Sequence, residues 1–166
     1  MKVIRIIILP LLLAAHGLAH GGIEEGVAAY NQGDYGTALR EWRPLAKQGN
    51  AGAQLNVGYM YDNGYGVPQD YKEAIKWYRR AAEQGNKRAQ YNLGLMYDIG
   101  YGVPQNKVHA HMWYDIAGVE VATSYRDYVA REMTPAQVAE AERLASEWMG
   151  KHLGRVGEQR TRMATR

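Results

Sequence analysis

The chain has 166 residues, no cysteine and a formal net charge of +3. Without a thiol there is no disulfide, thiolate metal site, cysteine nucleophile or lipidated amino-terminal cysteine. Two basic residues sit at the amino terminus and five in the last seventeen positions, whereas residues 20–149 hold 13 basic and 16 acidic residues. The body therefore lacks the clustered basic face that a nucleic-acid binder needs, and no nucleic-acid partner is expected.

At the amino terminus Lys2 and Arg5 precede an apolar run from Ile6 to Ala15, which ends in small residues at Gly17-Leu18-Ala19. The run is too short for a mature membrane helix, and the pattern is that of a cleaved secretory signal over residues 1–19. Cleavage is expected after Ala19, giving a periplasmic or secreted protein that starts at His20, keeps no integral membrane segment and is held by packing alone.

Residues 20–49 read as a first helix pair: Val27 to Tyr30 in one helix, a tight turn at Gly33-Asp34, then Ala38, Leu39, Trp42, Leu45 and Ala46 at helical spacing. Two longer units follow, 50–85 and 86–121, offset by 36 residues. Gly49-Asn50-Ala51-Gly52-Ala53-Gln54 returns as Gly85-Asn86-Lys87-Arg88-Ala89-Gln90, and Gly64-Tyr65-Gly66-Val67-Pro68 returns as Gly100-Tyr101-Gly102-Val103-Pro104. In the first long unit Ala53, Val57, Met60 and Tyr61 share one helix face, and Ala74, Trp77, Tyr78 and Ala81 share another. The Gly-x-Gly-Val-Pro segment between them supplies positive-φ positions and a proline that cannot continue the preceding helix, and Asp70 or Asn106 then caps the next one. Ala53, Gly58, Ala74, Ala81 and Ala82, with Ala89, Gly94, Ala110 and Ala117, allow close helix contact, while Tyr and Trp rings fill the remaining space.

A period in this range marks units that bury their apolar faces only by stacking, so the expected fold is an all-α, α/α superhelical solenoid. Beyond the second long unit, residues 122–149 hold a helix over Ala122–Glu132 and a capping helix over Pro135–Met149, the latter opened by Thr134, Pro135 and Gln137 as cap, first position and return acceptor. Residues 150–166 are basic, short and unpatterned, and are expected to be disordered.

The pattern Ala-x-x-x-Leu/Val-Gly-x-Met-Tyr, Gly-x-Gly-Val-Pro-Gln-Asp and Ala-x-x-Trp-Tyr-x-x-Ala-Ala-Glu-Gln-Gly-Asn resembles Sel1-like repeats, relatives of tetratricopeptide repeats lengthened by a loop insertion, of the exported bacterial type. It covers about Ala28 to Met149, and departs where Gly118 to Ser124 replaces Ala-Ala-Glu-Gln-Gly-Asn. The resemblance implies a superhelical scaffold for protein interaction and no enzyme. Some cysteine-rich relatives are linked to cell-wall compounds, which a chain without cysteine does not inherit, although a peptidoglycan-binding accessory or envelope enzyme stands as the alternative.

Candidate chemistry is sparse. His109 and His111 project about 200° apart on a helix and do not share an ion; a free amino-terminal His20 has no second histidine placed to complete a copper site. Ser124 and Ser146 lie in neither Gly-x-Ser-x-Gly nor Ser-x-x-Lys. Gly64-x-Gly66 and Gly100-x-Gly102 lack the Gly-Lys-Ser/Thr ending of a phosphate loop and read as turns. No cofactor or metal is expected, and Lys72, Lys76, Arg79 and Arg80 with Glu73 read as a solvated helix face.

The working surface implied by the resemblance is a concave groove lined by the first helix of each unit. Tetratricopeptide groove positions, laid on the matching frames, fall on Leu55, Asn56, Tyr59, Asp62 and Asn63 in one unit and on Arg88, Tyr91, Asn92, Leu95, Asp98 and Ile99 in the next. Apolar anchors mixed with amides and charges suit an extended peptide or a partner helix, bound to a monomer. Asn56 and Asn92 recur at one repeat position, either to hold a peptide backbone or to brace neighbouring helices.

Overall fold

A computed structural model describes residues 22–164, with side chains to His152. Residues 1–21, with the expected signal, its end at Ala19 and His20, lie outside the described residues. Helix α1 spans 22–31, followed by α2 Tyr35–Lys47, α3 Ala51–Asn63, α4 Tyr71–Glu83, α5 Lys87–Ile99, α6 Lys107–Ala117, α7 Glu120–Ala130 and α8 Pro135–Ala164. No strand occurs among the described residues.

Each boundary has a local cause. The side chains of Asp34, Asn50, Asp70, Asn86 and Asn106 accept the amide N–H three residues on, at 2.9–3.1 Å, at the starts of α2 to α6. Gly64 and Gly100 end α3 and α5 with φ of 72° and 87°, the left-handed cap that a Cβ disfavours. Thr134 and Gln137 form the reciprocal box expected before α8: the Thr134 N–H donates to Gln137 Oε1 at 2.9 Å and the Gln137 N–H to Thr134 Oγ1 at 3.3 Å.

Two elements depart from the sequence reading. Helix α7 begins at Glu120, two residues before the expected Ala122, because Gly118 turns the chain at once with φ 56° and leaves Val119 as the cap. Helix α8 continues past Met149 to Ala164, so residues 150–164 are helical backbone and not a disordered tail. That stretch has no proline, and its Lys, Arg, Gln, Glu and Met favour helix, so Gly150, Gly154 and Gly157 do not stop it.

The helices pack in pairs: α3 on α4, α5 on α6 and, between pairs, α2 on α3, α4 on α5 and α6 on α7, with α8 laid on α6. Close approach within each pair rests on one glycine. A Cβ on Gly26 would sit 2.2 Å from the Trp42 indole, and on Gly58 and Gly94 it would sit 2.7 and 2.4 Å from the Tyr78 and Tyr114 rings. Between pairs, buried Gln54 and Gln90 donate to the Ala46 and Ala82 carbonyls at 3.0 and 3.1 Å. Arg43 and Arg79 donate to the Tyr61 and Tyr97 hydroxyls at 2.9 and 2.6 Å.

The inserted loops bind the preceding unit. Tyr65 stacks on Tyr35 and Tyr101 on Tyr71, each with ring centroids 4.5 Å apart. A Cβ on Gly66 would lie 2.8 Å from the Tyr35 carbonyl oxygen, and one on Gly102 2.7 Å from the Tyr71 carbonyl carbon, so backbone meets backbone there. This docking ties each inserted loop to the start of the preceding unit's second helix. Trp113, Ile116, Ala145 and the partly buried Trp148 close the core at the α6–α8 end.

Candidate functional site

A groove of about 470 Å³ opens along the face shared by α1, α3, α5 and α7. Its walls are Val27 and Tyr30 of α1, Leu55, Asn56 and Tyr59 of α3, Arg88, Tyr91 and Asn92 of α5, and Val121 of α7; the indole of Trp42 from α2 completes the lining. The size suits a small molecule or a few residues of peptide, and the lining combines apolar walls with a few polar groups.

Six of the expected positions line this groove: Leu55, Asn56, Tyr59, Arg88, Tyr91 and Asn92. The other five do not, and the structure gives most of them packing roles. Asp62 accepts the Tyr78 hydroxyl at 3.0 Å, and burial pushes its carboxyl above the usual range although that bond opposes the shift. Asp98 pairs with Lys107 at 2.7 Å. Asn63 donates to the Tyr59 carbonyl at 2.9 Å in the last turn of α3, Leu95 packs on the Ala110 and Tyr114 cluster, and Ile99 stands exposed at the end of α5. Asp62, Asn63, Asp98 and Ile99 stand in the last turn of their helices, near the loop and the neighbouring second helix, whereas Leu95 holds the repeat position of Tyr59 and packs inward instead.

Val27, Tyr30, Trp42 and Val121 were missed. Alignment of Gly26 with Gly58, on the rule that each pair has one glycine against an aromatic ring, puts Val27 at the position of Tyr59, so a signal existed for it. Val121 is the second residue of α7, as Arg88 is of α5, but this is legible only once the start of α7 is known.

Aromatic packing shapes both ends. Tyr30 lies within 5.4–6.3 Å of Tyr35, Trp42, Tyr59 and Tyr65, centroid to centroid. Burial, with the Tyr59 hydroxyl beside it, pushes the Tyr30 phenol up to about 12. At the other end Tyr91 meets Tyr125 at 5.7 Å and Tyr114 at 5.9 Å, and burial followed by the Tyr125 contact raises its phenol to about 12. Both hydroxyls therefore keep their protons at neutral pH.

Both recurrent asparagines line the groove, and Asn92 stands close to the Tyr78 hydroxyl of the preceding unit. The residue one repeat before Tyr78 is Trp42, whose indole N–H donates to the Ile23 carbonyl at 3.2 Å. Asn56 thus has no hydroxyl at that place, and lines the groove beside the indole.

Among the described residues no Asp, Glu, His, Ser or Lys lines the groove. Ser124 and Ser146 are exposed on α7 and α8, His111 is 3 % exposed in the core, and His109 stacks on Tyr97 with centroids 5.1 Å apart. Among the described residues no group of three or more His, Cys, Asp or Glu side chains is placed to hold a metal ion. No helix among them is long and apolar enough to cross a membrane. Lys72, Lys76, Arg79 and Arg80 are exposed on α4; Lys76 pairs with Glu73 at 2.7 Å, and the Arg80 guanidinium lies 4.6 Å from the Trp77 ring centroid.

Residues 51–86 and 87–118 match the family described as Sel1 repeat. Among solved structures, the chain is similar to a protective antigen present in uropathogenic Escherichia coli strains that displays an SLR fold, with 29 % identity, a TM-score of 0.79, and coverage of 90 % of this chain and 33 % of that one. It is also similar to a Sel1 repeat protein from Oxalobacter formigenes, with 34 % identity, a TM-score of 0.61, and coverage of 74 % of this chain and 54 % of that one. The chain thus spans about a third and about half of the lengths of these two proteins. No curated protein matches it.

Proposed function

We propose that this chain, an all-helical solenoid whose residues 51–86 and 87–118 are Sel1 repeats, is a non-catalytic exported scaffold that holds a segment of a protein partner in the groove of α1, α3, α5 and α7. The observation that carries this reading is internal to the repeats. Positions that pack are the same or nearly so in both copies: Ala53 and Ala89, Gln54 and Gln90, Val57 and Leu93, Gly58 and Gly94, Met60 and Met96. Of the positions that face the groove, Asn56 and Asn92 are alike, but Leu55 becomes Tyr91, and Arg88 of the lining stands where the preceding copy has Gly52. Stacking demands matched packing surfaces but places no such demand on a free face, so the lining is free to differ between units and to suit a ligand.

The lining supports binding over catalysis, because it brings no nucleophile, acid or base together. The Lys2–Ala19 pattern supports export. The test is capture from envelope extract on the purified protein and on a Leu55→Ala, Tyr59→Asp variant shown to stay helical. A protein retained by the first and lost by the second, and displaced by one linear segment of its own sequence, is the expected result. Retention by both equally, or retention of isolated peptidoglycan with no protein, overturns the proposal.

A further inference from the structure

Among the described residues Arg88 is the one charged residue of the groove lining. It is exposed, and none of the ion pairs among the described residues uses it; those pairs take Arg40, Lys76, Lys107, Arg126 and Arg143. Arg43, Arg79 and Arg80 are engaged with Tyr61, Tyr97 and Trp77. Arg88 also has no structural counterpart, since the same position of the preceding repeat is Gly52 and the unit packs without a side chain there. It stands in the first turn of α5, where the exposed amide ends of the helix add to the positive potential.

Around this charge the lining is apolar. Val121 of α7 lies on one side, and Leu55, Tyr59 and Val27 lie on the other, across α3 and α1. An extended chain that crosses the first helices of the stack therefore meets apolar wall, then cation, then apolar wall. A carboxylate opposite Arg88 meets no acidic residue in the lining, whereas a lysine there meets a like charge in a partly desolvated groove. Asn56 can pair its amide with the peptide backbone next to that point.

Resting on the groove reading above, we infer that the held segment is an extended peptide with an internal acidic residue flanked by apolar ones, its carboxylate paired with the Arg88 guanidinium. The cation sits inside the row of four helices and not at its end, which favours a side chain over a chain terminus as the source of the carboxylate.

The experiment measures binding of the whole protein to dye-labelled pools of N-acetylated, C-amidated octapeptides. The central residue is Asp, Asn or Lys, between two positions drawn from Leu, Val and Tyr. The Asp pool is expected to bind about threefold more tightly than the Asn pool and about tenfold more tightly than the Lys pool, a modest preference because Arg88 is exposed. Higher salt should compress this order, and Arg88→Glu should reverse it between Asp and Lys while thermal unfolding stays unchanged. Equal binding of Asp and Lys pools, or an order that survives Arg88→Glu, overturns the inference; the groove reading then stands if Leu55→Ala with Tyr59→Asp still weakens every pool. Tighter binding of an Asn pool with a free carboxyl terminus than of the amidated Asp pool also overturns it, by assigning the charge to a chain end. If no pool binds, or the Leu55→Ala, Tyr59→Asp variant binds all pools as well as the original, both readings fail.

Discussion

Tyr78 and Tyr114 occupy one repeat position, are both fully buried, and differ in what the hydroxyl meets. The Tyr78 hydroxyl donates to Asp62 at 3.0 Å, while the Tyr114 hydroxyl has no partner among the described residues. The expected carboxylate for Tyr114 is Asp98, which is occupied by Lys107 at 2.7 Å. Removal of each hydroxyl as Tyr78→Phe and Tyr114→Phe leaves the rings, and their contacts with Gly58 and Gly94, in place. Loss of a bond to a charged group costs about 1.5–3 kcal/mol, and leaves the part-buried Asp62 without its donor. Removal of an unpartnered buried hydroxyl costs about nothing, and can return up to about 1 kcal/mol. Tyr78→Phe should therefore be about 2 kcal/mol less stable than Tyr114→Phe in urea denaturation followed by circular dichroism at 222 nm. Equal losses at the two sites, or a larger loss at Tyr114, refute the assignment of Asp62 to structure and of Asp98 to Lys107.

The remaining predictions concern packing and pH. Gly94→Ala should destabilise by about 1–2 kcal/mol, because its Cβ meets the immobile Tyr114 ring and overpacking outweighs the helix gain; Gly36→Ala, with only Asp34 Oδ1 nearby at 3.7 Å, should be neutral or slightly stabilising, and the same sign at both in denaturant midpoints refutes the close-approach role. Trp77→Ala should cost about 3–5 kcal/mol and loosen the array, whereas Trp77→Phe, which removes an unpartnered indole N–H, should cost clearly less; an unmoved thermal midpoint for the alanine variant contradicts the helix phase. Burial holds the His111 imidazole below its ordinary 6.5, against the opposing pull of Asp115 and with that of Arg126. The unfolded chain then binds the proton that the folded one refuses, so stability present above about pH 6.5 should fall as pH drops through the folded value, and His111→Gln should flatten that slope; an unchanged slope assigns it to other groups.

The fold was legible because it is written twice. One 36-residue offset revealed the helix pairs, their caps and the glycine turns, all of which depend on residues close together in sequence. The groove was legible in part: positions on the first two turns of α3 and α5 follow from the repeat frame, but Trp42 reaches the groove from a second helix, and only the packing of its indole against Gly26 shows that. The roles of Asp62 and Asp98 depend on partners 16 and 9 residues away whose geometry no spacing rule contains. Beyond Met149 charge and polarity read as disorder, although the same residues are good helix formers and α8 continues through them.

The end of the stack is also written in the sequence, as correlated losses. Tyr35 and Tyr71 each receive the inserted loop of the next unit, through Tyr65 and Tyr101. The third such position is Lys107, and the connection after α7 has no Gly-x-Gly-Val-Pro insertion to receive. Lys107 turns instead to Asp98 at 2.7 Å and Glu132 at 3.0 Å. The Arg43 and Arg79 braces to Tyr61 and Tyr97 likewise stop, since the next position is Asp115, which takes Arg126 of α7 at 2.9 Å. Each of these two losses removes one half of a contact whose other half is also gone, and the group left behind is the buried Tyr114 hydroxyl, whose carboxylate Lys107 has taken. Ion pairs within the last unit replace stacking between units, and α8 covers the apolar remainder at Met112, Trp113 and Ile116. Helix α8 therefore closes the layer of second helices at the end of the stack, while the α1, α3, α5 and α7 face stays open.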